Sequence, residues 1–137
     1  MNDSDSEKSR FLRWLRSEFE QAAIEFHAGN ADRWRRIWSQ AEDVTVFGSW
    51  KTAIGPVELH ALVDALESRF QACASFNLEM LQTEAHRGWA HTVAFEHTRA
   101  TIEGEKRDYT LRVTQVYREE ADGWKVVHRH GDTAPDS

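Results

Sequence analysis

Apolar residues at Phe11, Leu12, Leu15, Phe19, Ala22, Ala23 and Phe26 recur three and four apart, which places them on one stripe of a helix. Arg13, Arg16, Glu18 and Glu20 fall largely off that stripe, toward water. Gly29 follows as a left-handed stop, and Asn30 or Asp32 can cap the next segment. Trp34, Ile37, Trp38 and Ala41 repeat the helical spacing over a short second helix. After Glu42-Asp43 the pattern changes, and Val44, Val46 and Phe47 read as a short strand closed by Gly48. Gly55-Pro56 opens a third helix, because proline is tolerated at a first helical position. Leu59, Leu62, Val63, Leu66 and Phe70 form its apolar stripe.

From about Ala72 the helical period gives way to alternation, the mark of half-buried strands. The run 75–85 puts Phe76, Leu78 and Met80 on one face, and His86-Arg87-Gly88 turns the chain. The long strand 89–102 sets Trp89, His91, Val93, Phe95 and His97 opposite Ala90, Thr92, Ala94, Glu96 and Thr98. Glu103-Gly104-Glu105 turns again into a strand at 107–118, with Tyr109, Leu111, Val113, Gln115 and Tyr117 opposite Thr110, Arg112, Thr114 and Val116. Asp122-Gly123 is a hairpin signal before the last strand, 124–132. Three helices followed by a four-stranded antiparallel meander predict an α+β domain, its curved sheet wrapped on the helices. The ordered domain is expected over 8–133, with loose ends at 1–7 and 134–137.

Composition narrows the classes. A chain of 137 residues fits one domain. A net charge of −6 argues against a general binder of phosphate backbones, so no nucleic-acid partner is expected. Arg33, Arg35 and Arg36 beside Trp34 and Trp38 read as the solvated side of a helix. Cys73 is the only cysteine, so the fold rests on its core and not on an intrachain disulfide. No apolar run approaches the roughly 18 residues of a membrane span, and the polar start MNDSDSEKSR lacks a leader's apolar segment. A cytoplasmic protein is the expectation.

The candidate chemistry lies on the strands. His128, His130 and Asp132 alternate on the last strand and share a face unless a bulge intervenes. An imidazole titrating near neutrality suits proton transfer beside a carbonyl, and a nearby carboxylate fixes its tautomer. The same residues would equally serve as polar groups at a sheet edge or dimer seam. His97, beside Phe95 and Val93, is a second polar anchor in an apolar wall, or a solvent-facing residue. Arg112 and Gln115 lie on opposite faces, so at most one lines a pocket in regular geometry. Arg112 would hold a carboxylate or enolate, or else pair with Glu96 or Glu84. Trp50, before the flexible stretch Lys51-Thr52-Ala53, would cap a planar ligand or pack on the first helix. His97, His128 and His130 do not complete a ligand set, so neither a metal site nor a cofactor is expected.

One segment carries a family likeness. Arg112-x-Thr114-x-Val116-Tyr117, the Asp122-Gly123 turn and Trp124-Lys125-Val126-Val127-His128-x-His130 resemble the last hairpin of the SnoaL-like families, in the nuclear transport factor 2-like superfamily. Val44-Thr-Val-Phe-Gly48, then Gly55 and an amphipathic helix, fit the same element order, and the likeness spans about 8–133. The resemblance implies a cone-shaped fold, a pocket between sheet and helices, and a homodimer through the sheet. Relatives include ketosteroid isomerases, scytalone dehydratases and polyketide cyclases. The isomerase pattern is not matched, since the first helix has Trp14 and no tyrosine, and Tyr109 and Tyr117 share one strand.

The expectation is therefore a protein that binds a small hydrophobic organic ligand. As an enzyme it would be an isomerase, lyase or cyclase acting on a carbonyl compound. His130 and Asp132 would move the proton, with His97 as a further polar group and Arg112 stabilising charge. Trp50, Phe95, Tyr109, Gln115 and His128 would contact the ligand. The alternative is a non-catalytic binding or assembly module.

Overall fold

The computed structural model describes residues 3–135. Helix α1 (Asp3–Trp14), a π-helical turn (Leu15–Phe19) and α2 (Glu20–His27) form one continuous rod. The π turn has a sequence cause. Phe11, Leu15 and Phe19 are spaced by four, which drifts around a 3.6-residue helix, and one wider i→i+5 turn winds the stripe back. All three side chains are fully buried. The rod starts at Asp3, inside the segment expected to be loose, and the Glu7 carboxylate ties it to the sheet by accepting the Arg87 and Gly88 N–H groups at 2.8 and 2.6 Å. The expected loose ends at 1–2 and 136–137 lie outside the described residues.

Next come α3 (Asp32–Arg36), β1 (Thr45–Phe47), β2 (Thr52–Ile54) and α4 (Gly55–Glu67). The long strands follow: β3 (Phe70–His86), β4 (Trp89–Ile102), β5 (Glu105–Glu120) and β6 (Gly123–Thr133). They form one six-stranded sheet in the order β2-β1-β6-β5-β4-β3. The meander is antiparallel throughout, while β1 runs parallel to β6, so the sheet is mixed but mostly antiparallel. Helices packed on one face of such a sheet give the cone-shaped α+β architecture. Among the described residues no helix is long and apolar enough to cross a membrane.

Two local readings change. The stretch expected to be flexible, Lys51-Thr52-Ala53, instead enters a strand, because Gly48 N–H bonds to the Lys51 carbonyl at 3.0 Å and folds β1 back on β2. Phe70 belongs to β3 and not to the preceding helix, which ends at Glu67. Its ring packs on His27 and Phe26, with centroids 4.7 and 5.0 Å away. Gly29 is the left-handed stop, with φ +95°, and a Cβ there would lie 2.9 Å from the Phe70 carbonyl oxygen. Gly29→Ala is therefore expected to destabilise the fold by about 1–3 kcal/mol in urea unfolding, combining left-handed strain with a backbone clash.

The bulge in β6 orders everything that follows. Val126 pairs with Tyr117 and His128 with Val116, which leaves Val127 as the extra residue. Before it, Trp124 and Val126 face the helices; after it, the inward positions are Arg129, Gly131 and Thr133. Were Val127 paired as an ordinary strand residue, His128 and His130 would face the helices; with Val127 bulged they face the other way.

Candidate functional site

Between the inner face of the sheet and α2, α3 and α4 lies a cavity of about 560 Å³. Leu59, Leu62, Val63 and Leu66 from α4 form an apolar wall, and Leu111, Gly131 and Thr133 form part of the sheet side. A cavity of this size with a mostly apolar lining has the composition of a small-molecule site.

Its polar lining includes His27, Tyr109 and Arg129, besides Ser49, Lys51, Arg69, Glu103, Arg107 and Thr133. His27 continues the α2 stripe one turn beyond Ala23 and is only 8% exposed. Its Nδ1 lies 2.7 Å from the Ala23 carbonyl oxygen, which can only accept, so Nδ1 carries the proton. In the neutral ring Nε2 is then an acceptor, and the Tyr109 hydroxyl 3.1 Å away donates to it. Burial lowers the His27 pKa and keeps the ring neutral. Burial likewise pushes Tyr109 up to about 12, with Thr98 hydrogen-bonded beside it. The phenol therefore stays protonated, and its oxygen retains a lone pair.

Behind this pair sits a buried charged network. Arg129 forms two 2.8 Å bonds to the two Glu96 carboxylate oxygens and a 2.9 Å bond to Gln115 Oε1. Gln115 donates to the Tyr117 hydroxyl at 2.5 Å, and Thr92 and Tyr117 share a 2.8 Å bond. The guanidinium also lies over Trp34, 5.6 Å from the ring centroid. A bidentate pair with its remaining acceptors satisfied is the form in which opposite charges persist inside a protein.

Of the residues singled out from the sequence, Tyr109 and Trp50 line the cavity. Gln115 faces inward but stands one layer back, holding Arg129. Phe95, His97, Arg112, His128, His130 and Asp132 lie on the outer face and do not meet at the cavity. Arg112 pairs bidentately with Asp132 at 2.8 Å, and neither Glu96 nor Glu84 is its partner. His97 is held by Glu79 at 2.8 Å and Thr110 at 2.9 Å, and Phe95 packs beside it with ring centroids 6.2 Å apart. His128 bonds to Thr45 at 2.7 Å, and His130 is exposed beside the Phe47 ring. The Val127 bulge is the reason for β6. The reason for β4 and β5 is which of two alternating rows turned inward.

The sequence reading did not single out His27, Arg129 or Glu96 for the site, although His27 and Glu96 each carry a signal. His27 follows Phe19 and Ala23 at steps of four, hence on the buried stripe. Glu96 is a lone carboxylate in the row Ala90-Thr92-Ala94-Glu96-Thr98, and a carboxylate among small residues calls for a buried cation. Among the described residues no group of three or more His, Cys, Asp or Glu side chains is arranged to hold a metal ion.

The buried imidazoles set a pH dependence. Burial holds both His27 and His128 below the ordinary imidazole value of 6.5. With folded pKa values depressed, the unfolded chain takes up the protons first as pH falls. Stability is intact above pH 6.5 and declines as pH drops from 6.5 toward the folded values. Urea midpoints measured across that window are expected to fall, and to fall less in His27→Phe, which lacks the imidazole at that position and keeps only the His128 contribution.

Comparison with known proteins bears on the fold. The sequence pattern of the SnoaL-like domain family matches residues 15–135. None of the curated proteins compared with the chain matches it. Among solved structures, a proposed dehydratase of the nuclear transport factor 2-like family from Streptomyces avermitilis is similar at TM-score 0.80 and 16% identity, covering 96% of this chain and 99% of that one. A nuclear transport factor 2-like protein of unknown function from Pseudomonas putida reaches 0.75 at 19% identity, covering 97% and 90%. A ketosteroid isomerase-like protein from Erwinia carotovora reaches 0.70 at 13%, covering 99% and 100%. Identities this low speak for the fold alone. With residues 15–135 matched by the family pattern, the chain belongs to the SnoaL-like domain family, and it shares its fold with these nuclear transport factor 2-like structures.

Proposed function

We propose that the cavity binds a compact, largely apolar organic molecule and turns the Tyr109–His27 pair toward an oxygen function on it. The observation that carries this reading is the hydrogen bond from the Tyr109 hydroxyl to a neutral His27 in a cavity whose α4 wall is apolar. A ligand hydroxyl or enol would donate its proton to the Tyr109 oxygen while Tyr109 passes its own to His27 Nε2. Reversal returns one proton along the same path, with no change in oxidation state. Such a relay suits isomerase or lyase chemistry on a carbonyl compound, and the dehydratase and ketosteroid isomerase-like descriptions of two structural relatives are in keeping with it. In this reading His27 takes the part expected of His130, while Trp50 and Tyr109 remain ligand contacts.

A cavity-filling variant tests the binding. Gly131 lines the cavity, and a Cβ there meets its nearest neighbour, Val113, at 3.6 Å, an ordinary contact. Gly131→Leu is therefore expected to keep the fold while occupying the ligand's space. Binding of 2-naphthol, followed by tryptophan fluorescence, is expected to weaken at least tenfold. Equal affinity in a folded Gly131→Leu protein would place the ligand elsewhere, and Val63→Trp from the opposite wall serves if the first variant fails to fold. The outer sheet face, where Phe47 and Trp89 are exposed, is the surface we assign to a homodimer contact, which sedimentation would detect.

A further inference from the structure

The cavity's rim differs in charge from the rest of the molecule. Trp50, on the turn between β1 and β2, lines the opening and is 47% exposed. Two cations lie over its ring: Lys51 Nζ at 4.4 Å and the Arg69 guanidinium at 4.3 Å from the centroid. Arg107 of β5 lines the same region, and Glu103 is the one carboxylate among the lining residues. Arg69 is paired with Glu103, Arg107 with Glu105 and Arg129 with Glu96. Lys51 has no ion-pair partner among the described residues, in a chain whose net charge is −6. An uncompensated ammonium beside an exposed indole, at the mouth of an apolar cavity, is an arrangement that solvation alone does not call for.

We infer that the ligand is a monoanion: an apolar, planar body inside the cavity and a single carboxylate at the mouth, held by Lys51 with Trp50 covering the ring. The inference rests on the proposed small-molecule reading of the cavity and adds the ligand's charge and orientation. One uncompensated cation fixes the count. A carboxylate neutralises it, whereas a phosphate dianion would bring a second charge toward Glu103 and Glu105. Trp50 contributes a face that already attracts cations, so an acid docking here completes a cation–aromatic–anion group. The attraction acts at the rim and is exposed to salt, whereas burial of the ligand body is not.

Three probes with one body separate the contributions: 2-naphthoate, its neutral methyl ester, and 2-naphthyl phosphate. Affinities measured by calorimetry at low and high salt, on the wild type and on Lys51→Met, give the answer. Methionine keeps an apolar chain against Trp50 and removes only the charge. The expected result is 2-naphthoate binding at least fivefold tighter than the ester at low salt. That preference should shrink at high salt and vanish in Lys51→Met, with the ester's affinity unchanged and the phosphate weaker than the carboxylate. Ester and acid binding equally to the wild type, or a preference that survives Lys51→Met, would overturn the inference and leave the cavity reading standing. A phosphate that binds more tightly than the carboxylate would overturn the monoanion assignment. Binding of none of the three would overturn the cavity reading and this inference together.

Discussion

Glu96→Ala is expected to destabilise the folded protein by about 3–5 kcal/mol, read as a large fall in the urea midpoint. The Glu96 side chain is 3% exposed and the Arg129 side chain 13%, so both charges have left water. They hold each other in a two-bond fork, and Gln115 and Trp34 occupy the remaining faces of the guanidinium. Alanine removes the carboxylate that, among the described residues, alone is bonded to Arg129, and leaves a permanently charged group buried beside the cavity. The expected loss comes mainly from that stranded charge, and less from the attraction itself. The double variant Glu96→Leu/Arg129→Met, which removes both charges together, is therefore expected to recover most of the loss. The outer pair is the control. Arg112 and Asp132 have the same bond lengths but side chains 51% and 45% exposed. Arg112→Ala should leave the midpoint nearly unchanged, because water solvates either partner alone. Equal losses at the two sites would contradict the burial argument.

The second large effect concerns proton transfer. In deuterated water, Tyr109→Phe and His27→Phe are each expected to slow the ketonisation of a bound enol by about 10²–10⁴-fold, the relay taking the enol O–H proton while solvent delivers deuterium to the α-carbon. Phenylalanine at position 27 keeps a ring stacked on Phe70 and removes both nitrogens, so its loss reads the relay more than the packing. The two variants act on one hydrogen bond, so combining them should add little to either alone. The acid limb of the wild-type profile is expected below pH 6.5, since burial holds His27 under that value and the relay needs the neutral ring. His130→Ala and Asp132→Asn, on the outer face, should leave the rate unchanged. Rates that survive at Tyr109 and His27 while ligand still binds would favour a binding module without catalysis.

Most of the architecture was legible because it is written in periods. Spacings of three and four gave the helical rod and α4, and alternation from 75 onward gave the meander with its two rows per strand. What alternation does not give is which row turns inward. On β4 the decision is made by size: Ala90, Ala94 and Ala100 sit on the helix-covered side, and His91, Phe95 and His97 face out. On β6 it is made by Val127, whose bulge leaves no mark in composition because valine suits a regular strand equally well. The histidines that looked chemical were therefore read correctly as sharing a face, and the face is the outer one. β2 has a single buried residue, Ala53, and so no alternation to read, and its pairing depends on the Gly48–Lys51 turn. His27 lies one residue past the apolar stripe ending at Phe26, though its steps of four from Phe19 and Ala23 put it against the sheet.

Ligand chemistry on the helix-covered face of the sheet has a direct readout in the histidine ring signals of isotopically labelled protein titrated with 2-naphthoate and followed by NMR. The His27 resonances are expected to move with ligand while those of His97, His128 and His130 stay in place. Movement of the three outer histidines with His27 unaffected would place the ligand on the opposite face.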